Sequence, residues 1–258
     1  MSINRNRREA LPFIQQVMAN DYGCDPADFL RDGYTINEHA ARPGGRGFNP
    51  PPKPLQAITF GNGVVIACHA DFLEPLRTLT TDMPRDEFFF APGMGPINEW
   101  LETSNQFLRA PSLKHVATVD HFKPSADYRN RTQLLETDAV KALHKTPGFG
   151  YALTWPEERA NSPFLAGVAY DGDRLIAAAT ATEETPGLWQ ISVDVLGGER
   201  GSGLGLAIVS QVTAAILERG GLPYYSAAAS NIASRAIAHR LGFWPVFTEA
   251  YTLASLHV

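Results

Sequence analysis

Six residues of this chain have the types and spacing to hold an anion. They read Arg200-Gly-Ser-Gly-Leu-Gly205, between an apolar strand-like run, Leu188–Val195, and a helix-like run, Gly203–Arg219. Glycines let the backbone turn tightly, and the first amides of a helix have no partner inside it. The helix dipole adds partial positive charge there, so a phosphate is the expected guest. A Walker loop needs Gly-Lys-Ser/Thr, which is missing. A dinucleotide fingerprint needs a third glycine where Leu206 stands, and parallel crossovers before it. The bland alternative is a glycine-rich helix cap with no ligand.

The surrounding elements agree with a site built on a mixed sheet. Phe164–Tyr170 and Leu175–Thr182 read as strands joined at Asp171-Gly172-Asp173, and Glu184-Thr185-Pro186-Gly187 turns into Leu188–Val195. In the helix that follows, Leu204, Ile208, Val212 and Ile216 recur every four residues. Gly220-Gly221 ends it. A strand is expected at Pro223–Ala228 and a second helix from Asn231 to Leu241. Upstream, Thr132–His144 has helical period.

Arg200-x-x-Gly203-x-Gly205, with Val195 five residues before the arginine, resembles the acetyl-CoA signature of the GNAT (N-acetyltransferase) superfamily. The segment Asn231-Ile-Ala-Ser234-Arg-Ala-Ile-Ala-His-Arg-Leu241-Gly-Phe243 resembles that family's second motif. The resemblance implies an α/β fold, the mixed-sheet acyl-CoA N-acyltransferase fold, over residues 126–258. It also implies acetyl-CoA as cosubstrate without a metal, and acetyl transfer to an amine of a small molecule. The pyrophosphate would sit on the amides of Gly201, Ser202, Gly203, Leu204, Gly205 and Leu206. Val193 and Val195 would border the pantetheine arm, and Asn231, Ser234 and Arg200 would be further cofactor contacts.

Two positions depart from the family pattern. The tyrosine that protonates the departing thiolate in many relatives is Ala238 here, and a glutamate found on the fifth strand of some is Ser226. Asp194, on the fourth strand, and Glu183, near the turn into it, are the candidate catalytic carboxylates. His239, Tyr224, Tyr225 and Tyr251 are weaker candidates. The competing function is a non-catalytic acyl-CoA-binding or regulatory module on the same scaffold; a third is an ATP- or NAD-binding protein.

The 258 residues allow one large domain or two small ones, and 44% hydrophobic with 19% charged residues is ordinary globular usage. A net charge of −5 argues against nucleic acid or an anionic membrane as the main partner. Cys24 and Cys68 are too few and too distant for a disulfide scaffold or a metal motif. Neither a signal peptide nor a long apolar run is visible, so a cytoplasmic protein is expected.

Residues 1–125 read as a separate mixed α/β domain that helps select the substrate. It holds most of the 19 prolines, five of them within Pro43–Pro54, a stretch expected to be an extended loop. Arg7–Asn20, Leu73–Leu79 and Ile97–Leu108 are expected helices. Leu55–Phe60 and Val64–Cys68 form an expected hairpin, and Glu87–Phe90 and His115–Val119 are expected strands. This half resembles the extension of zwittermicin A-resistance-type acetyltransferases. The sequence after Phe243 offers one long strand or two short ones, and the first half is expected to complete or flank the sheet there.

Overall fold

The computed structural model describes residues 5–46, 53–126, 128–156 and 163–254. Residues 47–52, half of the proline-rich stretch Pro43–Pro54, therefore lie outside the described residues. The elements are α1 (Arg7–Tyr22), β1 (Gly33–Glu38), β2 (Leu55–Thr59), β3 (Gly63–Cys68), α2 (Leu73–Thr80), α3 (Ala91–Glu102), β4 (Gln106–Leu108) and β5 (Ser112–Val116). They continue with α4 (Tyr128–Arg131), β6 (Gln133–Glu136), α5 (Thr137–Lys141), β7 (Leu165–Asp171), β8 (Arg174–Thr185) and β9 (Leu188–Val195). The last four are α6 (Leu204–Glu218), β10 (Leu222–Ala228), α7 (Ile232–Arg240) and β11 (Trp244–Ala254). No described helix is long and apolar enough to cross a membrane.

The chain divides into two compact units. One comprises Met1–Ala10 and His115–Pro245; the other comprises Leu11–Lys114 and Val246–Val258. The first unit has a mixed sheet in the order β10-β9-β8-β7-β6. β10 runs parallel to β9, and the other neighbours are antiparallel. Two tight hairpins join β7 to β8 and β8 to β9, where Asp171 faces Arg174 and Thr185 faces Leu188.

Alternation sorts the two faces of this sheet. Ala177, Ala179 and Ile191 pack with Ile208, Val212 and Ile216 of α6, and Ala178, Ala166 and Val168 pack with Phe149, Leu153 and Trp155 on the other side. Small residues bring α6 close: a Cβ on Gly167 would stand 2.8 Å from the Ile208 carbonyl oxygen.

The second unit has the order β1-β3-β2-β11-β5, with β4 paired to β11. β1 is parallel to β3, and β2 is antiparallel to both β3 and β11. Leu76, Ile97 and Leu101 from α2 and α3 cover Leu55, Ala57, Val64 and Ile66. The same unit buries a charge cluster. The Arg46 guanidinium meets Glu249 at 2.6 Å and also Asp21, and Lys114 meets Glu249 at 3.3 Å. The Tyr22 hydroxyl donates to Glu249 at 3.2 Å. Burial alone would raise Glu249, but Arg46 and Lys114 outweigh it and hold that carboxyl down at about 2. Burial wins at Asp21, whose carboxyl is pushed up despite Arg46.

Several expected elements differ in the structure. Thr132–His144 is not one helix: Gln133–Glu136 is strand β6, paired with Leu165–Val168. Leu134 joins the α6-side cluster and Leu135 the opposite one, as consecutive residues of a strand must. The expected helix Ile97–Leu108 stops at Glu102. Asn105, at φ 54°, reverses the chain, and Gln106–Leu108 pairs with β11 instead. Glu87–Phe90 is no strand; Arg85–Glu87 form a single 3-10 turn that delivers Phe88 into the core. The segment after Phe243, by contrast, takes one of its two expected forms, a single long strand, whose residues Thr248–Tyr251 pair with Gln56–Thr59 of β2.

Candidate active site

β9 is paired along its length on one edge and only partly on the other. Against β8 the ladder runs on to Val195, opposite Ala177. Against β10 it covers four pairs, from Leu188↔Leu222 to Ile191↔Tyr225. Ser192–Val195 thus leave an edge without a strand partner among the described residues. Backbone groups on such an edge can pair with an extended ligand as with an added strand.

The strand then enters the glycine-rich turn. Glu199 N donates to the Leu196 oxygen at 2.9 Å, and the Ser202 hydroxyl donates to the Glu199 oxygen at 2.6 Å. Gly201 and Gly203 take φ of 84° and 83°, a region costly for residues with a Cβ. At Gly201 an added Cβ would stand in open space, so the loop is open as well as turned. Gly203 is the N-cap of α6 and has no side chain to cover the first amides of the helix. At Gly205 an added Cβ would meet Ile237 at 3.0 Å and Val195 at 3.5 Å, so β9, α6 and α7 converge there.

Two arginines flank this turn. Arg200 is exposed and lies near Asp194, where its charge opposes the burial that pushes that carboxyl up. Arg131 donates from Nη2 to the Ser202 carbonyl at 3.0 Å. Its Nη1 lies 3.3 Å from where a Cβ on Gly203 would be. Sequence reasoning missed Arg131. It lies 71 residues from Ser202, at the end of the four-residue helix α4, and no motif marks it.

The two candidate carboxylates lie at opposite ends of β9. Glu183 pairs with Trp189, five residues before Asp194, a separation of about 17 Å along a strand. They cannot act on one substrate atom. The Glu183 carboxylate is exposed and accepts from Gly187 N at 2.8 Å, which fixes the β8–β9 turn. Asp194 accepts from the Tyr151 and Ala152 amides, each at 2.7 Å. Burial pushes Asp194 up, opposed by those two amides and by Arg200.

The structure places the second motif at the start of α7. Asn231 is its N-cap, and Oδ1 accepts from Ser234 N at 3.1 Å. Ser234 in turn neighbours the buried hydroxyl of Tyr225 on β10, whose phenol burial pushes up to about 12. Ala238 is fully buried in the α6-side cluster beside Tyr225 and Phe243. His239 is exposed, Ser226 half-buried, and Val193 and Val195 pack partly against the same cluster. Tyr224 is buried on the opposite face, its hydroxyl donating to Glu184 and lying 3.0 Å from the Gln190 side-chain oxygen. Tyr251 belongs to the other unit, where its hydroxyl accepts from Arg109 at 2.7 Å. Among the described residues no group of three His, Cys, Asp or Glu side chains is placed to hold a metal.

The comparisons with known proteins fall on this region. Residues 164–253 match the family model "GNAT acetyltransferase". No curated protein matches the chain. A putative GNAT acetyltransferase from Novosphingobium aromaticivorans DSM 12444 is 24% identical with a TM-score of 0.43, over 57% of this chain and 66% of that one. A GCN5-related N-acetyltransferase-like protein from Streptococcus suis is 16% identical with a TM-score of 0.43, over 62% and 67%. A putative acetyltransferase from Salmonella typhimurium, solved with its cofactor acetyl-CoA, is 14% identical with a TM-score of 0.35, over 50% and 96%. The chain thus spans about two thirds of the first two. The family model begins at Phe164, so it does not bear on the likeness expected for the first half. Over residues 164–253 this chain, a mixed α/β protein, is similar to the GNAT acetyltransferase family.

Proposed function

We propose that the protein is an acetyl-CoA-dependent N-acetyltransferase that acts on a small-molecule amine in the cytoplasm. The observation that carries this reading is the juxtaposition in β9. Its pairing with β10 ends at Ile191↔Tyr225, and its own free edge leads into the two left-handed glycines at the start of α6. An extended thioester substrate fits that path. The backbone of Ser192–Val195 would hold its arm, and the amides of Gly201–Leu206 would hold its pyrophosphate, with Arg131 and Arg200 on either side.

Transfer joins the nitrogen of a neutral amine to the acyl carbon, breaks the C–S bond and leaves the electron pair on sulfur. The amine proton must be passed to a base or to water. Asp194 is a poor candidate for that base, because two backbone amides already occupy its carboxylate. Ala238 offers no acid to the thiolate, which leaves as a stable anion.

These same two observations favour a second reading, a non-catalytic acyl-CoA-binding module. Thermal unfolding with acetyl-CoA, CoA, ATP and NAD separates the ligand classes. Stabilisation by the two CoA species alone is expected, and stabilisation by ATP or NAD instead would overturn the cradle's assignment. Thiol release from acetyl-CoA across a broad amine panel then separates transferase from binding module.

A further inference from the structure

The second unit carries a pocket of about 420 Å³ at the carboxyl ends of the parallel strands β1 and β3. Glu38 and Cys68 are the last pair of that ladder. One wall is apolar: Phe72 stands edge-on to Trp100, ring centroids 4.8 Å apart, with Pro54 also lining the space. The Cys68 thiol is buried and lies 3.7 Å from the Asn37 carbonyl. Burial pushes it up to about 11, so it is a neutral part of the lining rather than a nucleophile.

Two opposite charges line the same pocket without pairing. Glu38 is exposed at the end of β1, and Lys53 precedes β2 with its ammonium 5.4 Å from the Tyr251 ring centroid. Among the described residues neither takes part in an ion pair. The register explains why. Glu38 faces Cys68 on β3, and Cys68 faces Leu55 on β2, so Glu38 lies two strand spacings, about 10 Å, from the start of β2. Glu38 and Lys53 line the pocket together with the Phe72 ring, and a pocket of this volume is of ligand size.

We propose that this pocket binds a zwitterion, an amino acid with an apolar or aromatic side chain. Glu38 receives the ammonium, Lys53 the carboxylate, and the Phe72 wall the side chain. A simple amine satisfies only Glu38 and a simple carboxylate only Lys53. The site lies wholly within the second unit and does not rest on acyl transfer.

The test uses the full chain and three probes of one shape: L-phenylalanine, phenethylamine without the carboxylate, and 3-phenylpropionate without the ammonium. Titration calorimetry or ligand-observed NMR is expected to show saturable phenylalanine binding at least about tenfold tighter than either half-ligand. Lys53→Gln is expected to bring phenylalanine to within about threefold of phenethylamine while keeping its advantage over 3-phenylpropionate. Glu38→Gln is expected to do the reverse. Glu38 is exposed and Lys53 half-buried, and circular dichroism checks that each variant is folded. Absence of saturable phenylalanine binding up to about 20 mM, equal affinity for the three probes, or unchanged preferences in both variants overturns the proposal.

Discussion

Ile191 of β9 and Tyr225 of β10 are the last residues through which these two parallel strands pair. Tyr225 thus sits where the sheet opens, and its hydroxyl is buried beside Ser234 without a well-formed hydrogen bond. Removing an unsatisfied buried hydroxyl costs little. Tyr225→Phe is expected to leave unfolding free energy within about 0.5 kcal/mol of wild type in urea titrations. A loss above about 2 kcal/mol would mean that the hydroxyl has a strong partner.

Gly203 holds a left-handed backbone under the Arg131 guanidinium. Gly203→Glu adds strain, bulk and negative charge where an anion is expected, so CoA binding should vanish in calorimetry. Unchanged CoA affinity would refute the phosphate cradle.

Arg131 is exposed, so its attraction for an anion is screened by water. Arg131→Ala is expected to weaken CoA binding about fivefold, roughly 1 kcal/mol, and to flatten its salt dependence. Equal affinities and equal salt slopes in the two proteins would remove Arg131 from the site.

Asp194 accepts two backbone amides from Tyr151 and Ala152. Asp194→Ala leaves both without an acceptor and is expected to cost about 1–3 kcal/mol of stability. Asp194→Asn keeps one acceptor oxygen and should keep most of both stability and transfer rate. A rate loss of about a hundredfold in Asp194→Asn, with the fold intact, would instead make this carboxylate the base.

Glu249 is held at about 2, below its ordinary value of 4.5, by Arg46 and Lys114 despite its burial. A depressed carboxylate contributes stability above its unfolded pKa and loses it as pH falls through the folded one. The contribution should be complete above about pH 4.5 and gone below about pH 2, with a size of about 3 kcal/mol. Glu249→Gln should therefore be much less stable than wild type at pH 7, and the difference should shrink between about pH 4.5 and pH 2. A pH-independent difference between the two proteins would rule this out.

The glycine turn and its flanking strands and helix were legible because each carries a local signal. Period-two and period-four patterns, Asp-Gly, and glycines at left-handed positions all act within a few residues. Leu134 and Leu135 were misread because a helix and a strand both accept that short run, and only the edge of β7 decides between them. Gln106–Leu108 became a strand because a distant partner, β11, was there to pair with. Arg131 and the Lys114–Glu249 contact join residues 71 and 135 positions apart, which no local pattern encodes.

The pairing of β2 with β11 has a consequence during synthesis. The second unit is begun by residues 11–114 and finished by residues from Val246 on, and 131 residues (115–245) are translated in between. At about 5–20 residues per second, the β2 edge waits roughly 7–26 s on the ribosome for its neighbour. During that interval it presents a row of unpaired backbone groups beside buried-type side chains such as Leu55, Ala57 and Ile58. The nascent chain is therefore most vulnerable to mispairing after Lys114 emerges and before β11 does, a window set by topology rather than by final stability.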